Sequence, residues 1–583
     1  MIKAFRMMAP FIKKYRWKYI IGALFLIIVD GLSLLVPQVI RQFTDWVQFS
    51  QLSQERILQS AGWMILLGVL ISGGRFLWRM LLYGTSRDLE YDLRDHLFKH
   101  FLTLDADFYN KSKVGDLMAH ATNDISTVRM AMGPGIMLIV DSLFMTILTV
   151  FMMVYTVGLK TAAVGLLALP VISIVVRLFS TKMHARSLAV QNSFSAMTDI
   201  VQENLSGVRV IKTYGIEKER EKEFEKNNKD YMEKNLKQIK ISGLFDPLIT
   251  GISGISFVIF MVYGTQQIFV GALTLGDFLA VVNYLFMIVW PLVALGMVFS
   301  MFQRGVASME RLQAIHKEQS SLVEKENPVV LKNPSGKISF ENVSFHYPNG
   351  PEILKDINLE IPAGQSLAIL GKTGSGKTTL VSLILRVYDA TKGRVALENV
   401  DIRDLSLANL RENIAYAPQD NFLFSKSIED NIAFSSQEKV SKERVVEAAK
   451  FADIHEDIMK FPDKYETMVG ERGVTLSGGQ KQRISIARAY LKDAPVIILD
   501  DSLSAVDTET EENILEGLEK IKEQTLILIS QRISTVKEAD HIIVLDEGRI
   551  VQRGKHEELL KEEGLYKRIY EKQLLEDRLK EEG

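Results

Sequence analysis

The sequence predicts a helical membrane domain of six crossings fused to an α/β phosphate-loop domain, and three observations predict it. Six long apolar stretches occupy the amino-terminal half. The intervals between them alternate between short and long. The carboxy-terminal half carries Gly371-Lys372-Thr373-Gly374-Ser375-Gly376-Lys377-Thr378 between an apolar run and a helical pattern. With 583 residues, 47% apolar and 24% charged, the chain is too long for one module and too apolar to be disordered throughout. A net charge of -2 offers no bulk attraction for nucleic acid, which argues against a DNA-associated ATPase. The absence of cysteine excludes disulfides, thiolate zinc sites and cysteine nucleophiles.

The first apolar stretch runs from Tyr19 to about Ile40, behind Lys3, Arg6, Lys13, Lys14, Arg16 and Lys18. It exceeds the apolar core of a signal peptide and reads as an uncleaved span. The others lie near 60–82, 134–157, 159–180, 248–270 and 273–302. Intervals 41–58, 158–159 and 271–272 are short and poor in basic residues, whereas 83–133 and 181–247 are long, charged and helically patterned. The positive-inside rule then places both termini and both long loops in the cytoplasm. The competing reading is a set of buried helices in a large soluble protein. Against it, windows such as Ile21–Val29, Leu138–Tyr155 and Phe257–Val262 lack the polar face such helices show.

Asp30 and Asp141 sit deep in these stretches, where a charge facing lipid is costly, so each is expected to face a partner, a cavity or a cationic ligand. The aromatic and methionine-rich set Tyr284, Phe286, Met287, Trp290 and Phe299 suits a deformable apolar cavity for an amphiphilic small molecule. Helix packing and lipid contact account for the same residue types, so this set marks candidates only.

Residues 1–315 form the expected membrane domain, 316–335 a charged, proline-containing linker, and 336–583 the α/β domain. In the last, Ile338–Tyr347, Gln365–Leu370 and Val496–Leu499 read as strands, and Thr379–Tyr388 and Lys481–Leu491 as helices. Backbone amides of Gly371–Gly376 cradle phosphate oxygens, Lys377 reaches the terminal phosphates, Thr378 suits magnesium, and Thr379 follows in the helix. Val496–Leu499 ends in Asp500, a carboxylate placed to hold the metal or its water. Ser477-Gly478-Gly479-Gln480 opens a helix with small residues that permit close phosphate approach, although in isolation it is also an ordinary cap.

Together these residues resemble the ATP-binding cassette family, specifically half-transporters of the type I exporter, or type IV transporter, fold. The resemblance implies ATP and Mg2+ as cofactors and two cassettes that sandwich two ATP molecules. It implies that Tyr347 stacks on adenine, that Gln419 senses the metal, and that Asp507 ends a loop crossing the cassette dimer. Glu471 and Arg472, with Phe108, Tyr109, Tyr214, Gly215 and Glu217 in the long loops, match elements that couple cassette to membrane. Two positions depart from the family pattern. Asp501 stands where a catalytic Glu is usual, about 1.5 Å shorter in reach, and Gln531 stands where a His is usual. Glutamine hydrogen-bonds but does not titrate.

Both departures fall on the hydrolytic side, beside an intact phosphate loop and signature. They point to a non-identical second subunit that supplies the missing Glu and His, with a weakly hydrolytic site on this chain. The expected activity is ATP-driven export of amphiphilic compounds from the membrane. The alternatives are a homodimer, a dedicated lipid or peptide exporter, and a membrane ATPase that regulates without transport.

Overall fold

The computed structural model describes residues 2–348, 350–436, 438–470, 476–521 and 523–581. The chain divides into two compact units, Met1–Thr103 with Ser112–Gln319, and Leu104–Lys111 with Ser320–Gly583.

The first unit is helical: α1 (Ile2–Gln48), α2 (Gln54–Phe101), α4 (Val114–Ala119), α5 (Ile125–Met130), α6 (Ile136–Leu166), α7 (Pro170–Ser206), α8 (Val208–Tyr214), α9 (Glu217–Phe269) and α10 (Leu275–Lys317). The intervening α3 (Ala106–Lys111) belongs to the second unit. Local chemistry sets several ends. The Ser53 side chain accepts from the Arg56 amide at the start of α2, and Thr274 and Asp277 form a capping box at the start of α10. Among the described residues, five segments are long and apolar enough to cross a membrane. One of them, Val114–Val176, contains the stretch expected at 134–157 and most of the one expected at 159–180. Gly158 breaks it at φ 78° and ψ 161°, a conformation open essentially only to glycine.

The 83–133 interval is more helical than a loop, because α2 continues to Phe101. Its charges explain the continuation: Glu90 pairs with Arg87 at 2.8 Å and Arg94 at 2.7 Å, and Asp95 pairs with Lys99 at 2.8 Å. Two π-helical turns follow, His120–Asp124 and Ala131–Gly135. The first carries buried Asp124, which accepts from His120 at 2.6 Å and pairs with Arg311 of α10. Further along, Leu34, Met153, Phe260, Leu285 and Ile288 close a core around α1, α6, α9 and α10. On the outside, Ile65, Val69, Phe76 and Phe151 are each more than 60% exposed. A soluble protein would bury such side chains, whereas lipid accepts them.

The second unit contains β1 (Ile338–His346), β2 (Glu352–Ile361), β3 (Ser366–Gly371), β4 (Lys392–Leu397), β5 (Val400–Asp401), β6 (Ile414–Ala417), β7 (Val496–Asp500), β8 (Thr525–Ile529), β9 (His541–Asp546) and β10 (Arg549–Gly554). Its helices after α10 are α11 (Lys377–Ile384), α12 (Leu407–Glu412), α13 (Ile428–Ile432), α14 (Lys442–Phe451), α15 (His455–Lys460), α16 (Gly478–Leu491), α17 (Thr508–Glu519), α18 (Ile533–Val536), α19 (His556–Lys561) and α20 (Leu565–Glu581). One sheet has the order β2-β1-β4-β5, the other β10-β9-β3-β8-β7-β6. In the second sheet β6, β7, β8, β3 and β9 run parallel, and Asp500 is in register with Ile529. Apolar runs such as Val496–Leu499 and Leu367–Leu370 are buried throughout, as strands covered on both faces require.

Candidate active site

Strand order builds the site. The parallel strands β6, β7, β8 and β3 are neighbours, so their carboxyl ends open at one edge of the sheet, where α/β folds bind ligands. Gln419 follows β6, Asp500 ends β7 with Asp501 just after it, Gln531 follows β8, and the phosphate loop follows β3. Residues separated by up to 184 positions in the chain thereby line one cavity of about 290 Å³. Its walls include Tyr347, Thr373, Gly374, Gly376, Lys377, Thr378, Thr379, Gln419, Asp500, Asp501 and Gln531.

Within the phosphate loop, Gly376 has φ 102° and leads directly into α11, so the loop amides precede a helix start. A Cβ on Gly371 would lie 2.3 Å from the Leu545 carbonyl oxygen, so the loop packs against β9 without room for a side chain. Lys377 is buried, and its ammonium donates to the carbonyls of Gly371 at 2.8 Å and Lys372 at 2.9 Å. Burial pulls its pKa below the ordinary lysine value, and the charges of Asp501 and Asp500 act against that pull. The buried Ser375 hydroxyl makes no hydrogen bond, an orphan polar atom that a phosphate oxygen would satisfy.

Asp500 is fully buried. Thr378 donates to its Oδ1 and Tyr416 to its Oδ2, both at 3.3 Å. Burial raises its pKa, partly offset by those two hydrogen bonds. Hydroxyl, carboxylate and side-chain amide oxygens from Thr378, Asp500 and Gln419 form the hard oxygen set that Mg2+ prefers. Sequence reasoning missed Tyr416. The phenol lies three residues before Gln419, and only the pairing of β6 with β7 brings it to Asp500.

Asp501 carries a second feature absent from sequence reasoning. Its φ is 48°, in the left-handed region, and its amide donates to the Ile529 carbonyl at 2.9 Å. Aspartate enters that region more readily than glutamate, so the short side chain also suits the local backbone. Burial raises its pKa, against the pull of Lys377 and Arg532. Across the cavity, Thr373 reaches Gln531 Oε1 at 3.5 Å.

Tyr347 leaves β1 at the cavity rim, its hydroxyl 3.1 Å from that of Thr379. Ser477 caps α16 in a reciprocal box with Gln480, at 3.2 and 3.0 Å. Gly478 and Gly479 form the first turn, and a Cβ on Gly479 would lie 2.8 Å from the Ala505 carbonyl oxygen. This turn does not line the cavity of the phosphate loop. Asp507 caps α17 by accepting from the Thr510 amide at 3.0 Å.

Of the coupling candidates, Phe108 and Tyr109 lie on α3 with their rings edge-on at 5.4 Å. Tyr214 ends α8, Gly215 follows it at φ 66°, and Glu217 opens α9 paired with Lys212 at 2.9 Å. Glu471 and Arg472 lie outside the described residues. In the membrane unit, Phe286, Trp290 and Phe299 are exposed and Met287 is half-buried. Tyr284 differs from that exposed set. It is fully buried, donates to the Leu34 carbonyl at 3.0 Å and accepts from Gln38 at 2.9 Å, so its ring packs inside this chain's own core. Asp30 is buried with Oδ2 unpaired, and Asp141 and Arg75 are the charged groups acting on it.

Comparison with known proteins follows the same division. Residues 19–292 match the ABC transporter transmembrane region and residues 354–504 match the ABC transporter family. YheI of Bacillus subtilis, a probable multidrug resistance ABC transporter ATP-binding/permease protein, is 37% identical over 577 residues, covering 99% of this chain and 98% of its own. MdlA of Escherichia coli, a multidrug resistance-like ATP-binding protein, is 35% identical, with coverages of 96% and 95%. An ATP-dependent lipid A-core flippase of Syntrophus aciditrophicus is 34% identical, with coverages of 89% and 86%. Among solved structures, a bacterial Atm1-family ABC exporter with ATP bound superposes with a TM-score of 0.79 at 26% identity, over 96% of this chain and 98% of that one.

Proposed function

Because the chain belongs to the ATP-binding cassette transporter family, with its membrane region and cassette in one polypeptide, we propose that it is one half of a heterodimeric exporter of amphiphilic small molecules. It is an ATP-hydrolysing exporter subunit, multi-pass in the plasma membrane, with a cytoplasmic carboxy-terminal cassette. Two cassettes are needed to complete the ATP sites, so a second subunit faces this one. From the spans to the cassette tail, Asp501 and Gln531 included, the chain resembles BmrC, one subunit of the Bacillus heterodimeric multidrug exporter BmrCD.

The observation that carries the heterodimer is the company of Asp501 and Gln531. Both line the same cavity as an intact phosphate loop, while the Ser477–Gln480 turn is complete elsewhere on the cassette. In this reading the chain binds ATP tightly but positions attacking water poorly, because a shortened carboxylate and a non-titrating amide replace the usual pair. Its Ser477 turn completes an efficient site on a partner that supplies Glu and His. Thr378, Asp500 and Gln419 would hold Mg2+, which neutralises charge on the terminal phosphates. Tyr347 stacks on the adenine. ATP closure of the cassettes then biases the membrane halves outward, because nucleotide binds the closed state more tightly.

The test compares two substitutions in the assembled transporter reconstituted in vesicles. Ser477→Arg blocks the partner's site and is expected to lower ATP turnover by about 100-fold or more. Lys377→Ala disables this chain's site and is expected to cost less than about tenfold. Equal losses would refute the unequal sites and favour a homodimer. Similarity to lipid A-core flippases supports a second reading, in which the cargo is a lipid. Stimulation of ATPase activity by lipid but not by amphiphilic dyes would decide for it.

A further inference from the structure

The proposed adenine platform and the coupling segment touch through one side chain. Tyr388 lies four residues past the end of α11, packed edge-on against Tyr347 with ring centroids 5.2 Å apart and planes at 89°. Its other neighbour is Phe345, at 5.6 Å. The Tyr388 hydroxyl in turn accepts a 2.6 Å hydrogen bond from the Asn110 side-chain amide on α3. Just before its other end, the short helix is also tied to the start of the linker within the same unit. Asp105 accepts from the Phe108 amide at 3.2 Å, from the Ser320 hydroxyl at 3.3 Å and from the Ser321 hydroxyl at 2.6 Å. Residues 104–111 therefore fold as part of the cassette unit although they leave from α2 and return to α4 of the membrane unit.

We propose that Tyr388 is a positioning residue that reports occupancy of the Tyr347 ring face to α3, through the Asn110 hydrogen bond. The physical basis is steric and local. A base lying on Tyr347 fixes that ring, whose hydroxyl lies 3.1 Å from that of Thr379. Tyr388 abuts the ring edge-on, so a shift of one ring displaces the other, because packed aromatic contacts have few alternative arrangements. The hydroxyl end of Tyr388 carries that displacement to Asn110. A bare polyphosphate carries no base to lie on this ring, so the relay distinguishes a nucleotide from a polyphosphate. Coupling of this kind is reciprocal: anything that moves α3 alters base affinity by the same factor.

The inference rests on the reading of Tyr347 as the adenine platform, and hydrogen exchange in the full assembled transporter separates the two. Backbone protection is followed in residues 104–111 and in the phosphate loop, with ATP or with inorganic tripolyphosphate, in the absence of turnover. Expected is protection of the phosphate loop by both ligands, and protection of 104–111 by ATP alone. In Tyr388→Phe, which keeps the ring and loses the acceptor, and in Asn110→Ala, the ATP-dependent change at 104–111 falls at least about twofold, the scale of one lost hydrogen bond. Loop protection stays at the wild-type level in both. Equal protection of 104–111 by tripolyphosphate, or an undiminished ATP response in both variants, would overturn the relay. Unchanged ATP affinity in Tyr347→Ala would instead overturn the adenine platform and with it the signal the relay carries.

Discussion

The side-chain amide of Gln419 donates to Asp501 Oδ2 across 3.4 Å, joining the residue after β6 to the residue after β7. The contact places the candidate metal sensor and the candidate base in one hydrogen-bonded pair. Asp501 holds this position with a left-handed backbone and with its amide tied to Ile529. Its reach toward an attacking water is thus set by both side-chain length and main-chain geometry.

Asp501→Glu combined with Gln531→His is expected to raise hydrolysis at this chain's own site by about tenfold or more, the gain available from a well-placed general base. The measurement is ATPase activity in a Ser477→Arg background, where the partner's site is silenced. The same pair of substitutions lowers the melting temperature slightly, since Glu is less suited to φ 48°.

Tyr416→Phe removes one of the two hydrogen bonds to buried Asp500 while keeping the ring volume. The Mg2+ concentration needed for half-maximal nucleotide binding is expected to rise about tenfold, from a charge-assisted bond of about 1.5 kcal/mol. Titration of Mg2+ against a fluorescent ATP analogue checks this. Binding measured without metal stays at the wild-type level.

Burial raises the pKa of Asp500 above the ordinary 3.8. Between that value and the raised one, the folded chain binds more protons than the unfolded chain, so this group's contribution to stability falls as pH rises through the window. Asp500→Asn removes the penalty. The difference in melting temperature between the variant and the wild type, both measured without nucleotide, is expected to favour the variant increasingly as pH rises above 3.8 until Asp500 is fully ionised, and to stay constant beyond. Stabilisation by Mg2+ and ATP is lost in the same variant.

Gly158→Ala meets open space, since no atom lies within 4 Å of a Cβ built there. Its cost is purely conformational, of order 1–3 kcal/mol at a backbone position essentially reserved for glycine. A lower melting temperature of the detergent-purified transporter, with unchanged ATP affinity, is the expected result.

Apolar run length, charge placement and the phosphate-loop spacing were legible in the chain because each depends on residues close together. Helix periodicity, the end of β7 at Asp500 and the glycine turn before α11 all arise within a few neighbouring positions. Strand order is a different kind of fact. Nothing in the local pattern places β8 between β3 and β7, yet that adjacency brings Gln531, Lys377 and Asp500 to one cavity. Tyr416 against Asp500 and Asn110 against Tyr388 arise the same way, from segments up to 278 residues apart. The left-handed turn at Asp501 and the burial of Tyr284 also required the folded chain. Main-chain conformation and packing partners there follow from neighbours distant in sequence, which no window along the chain contains.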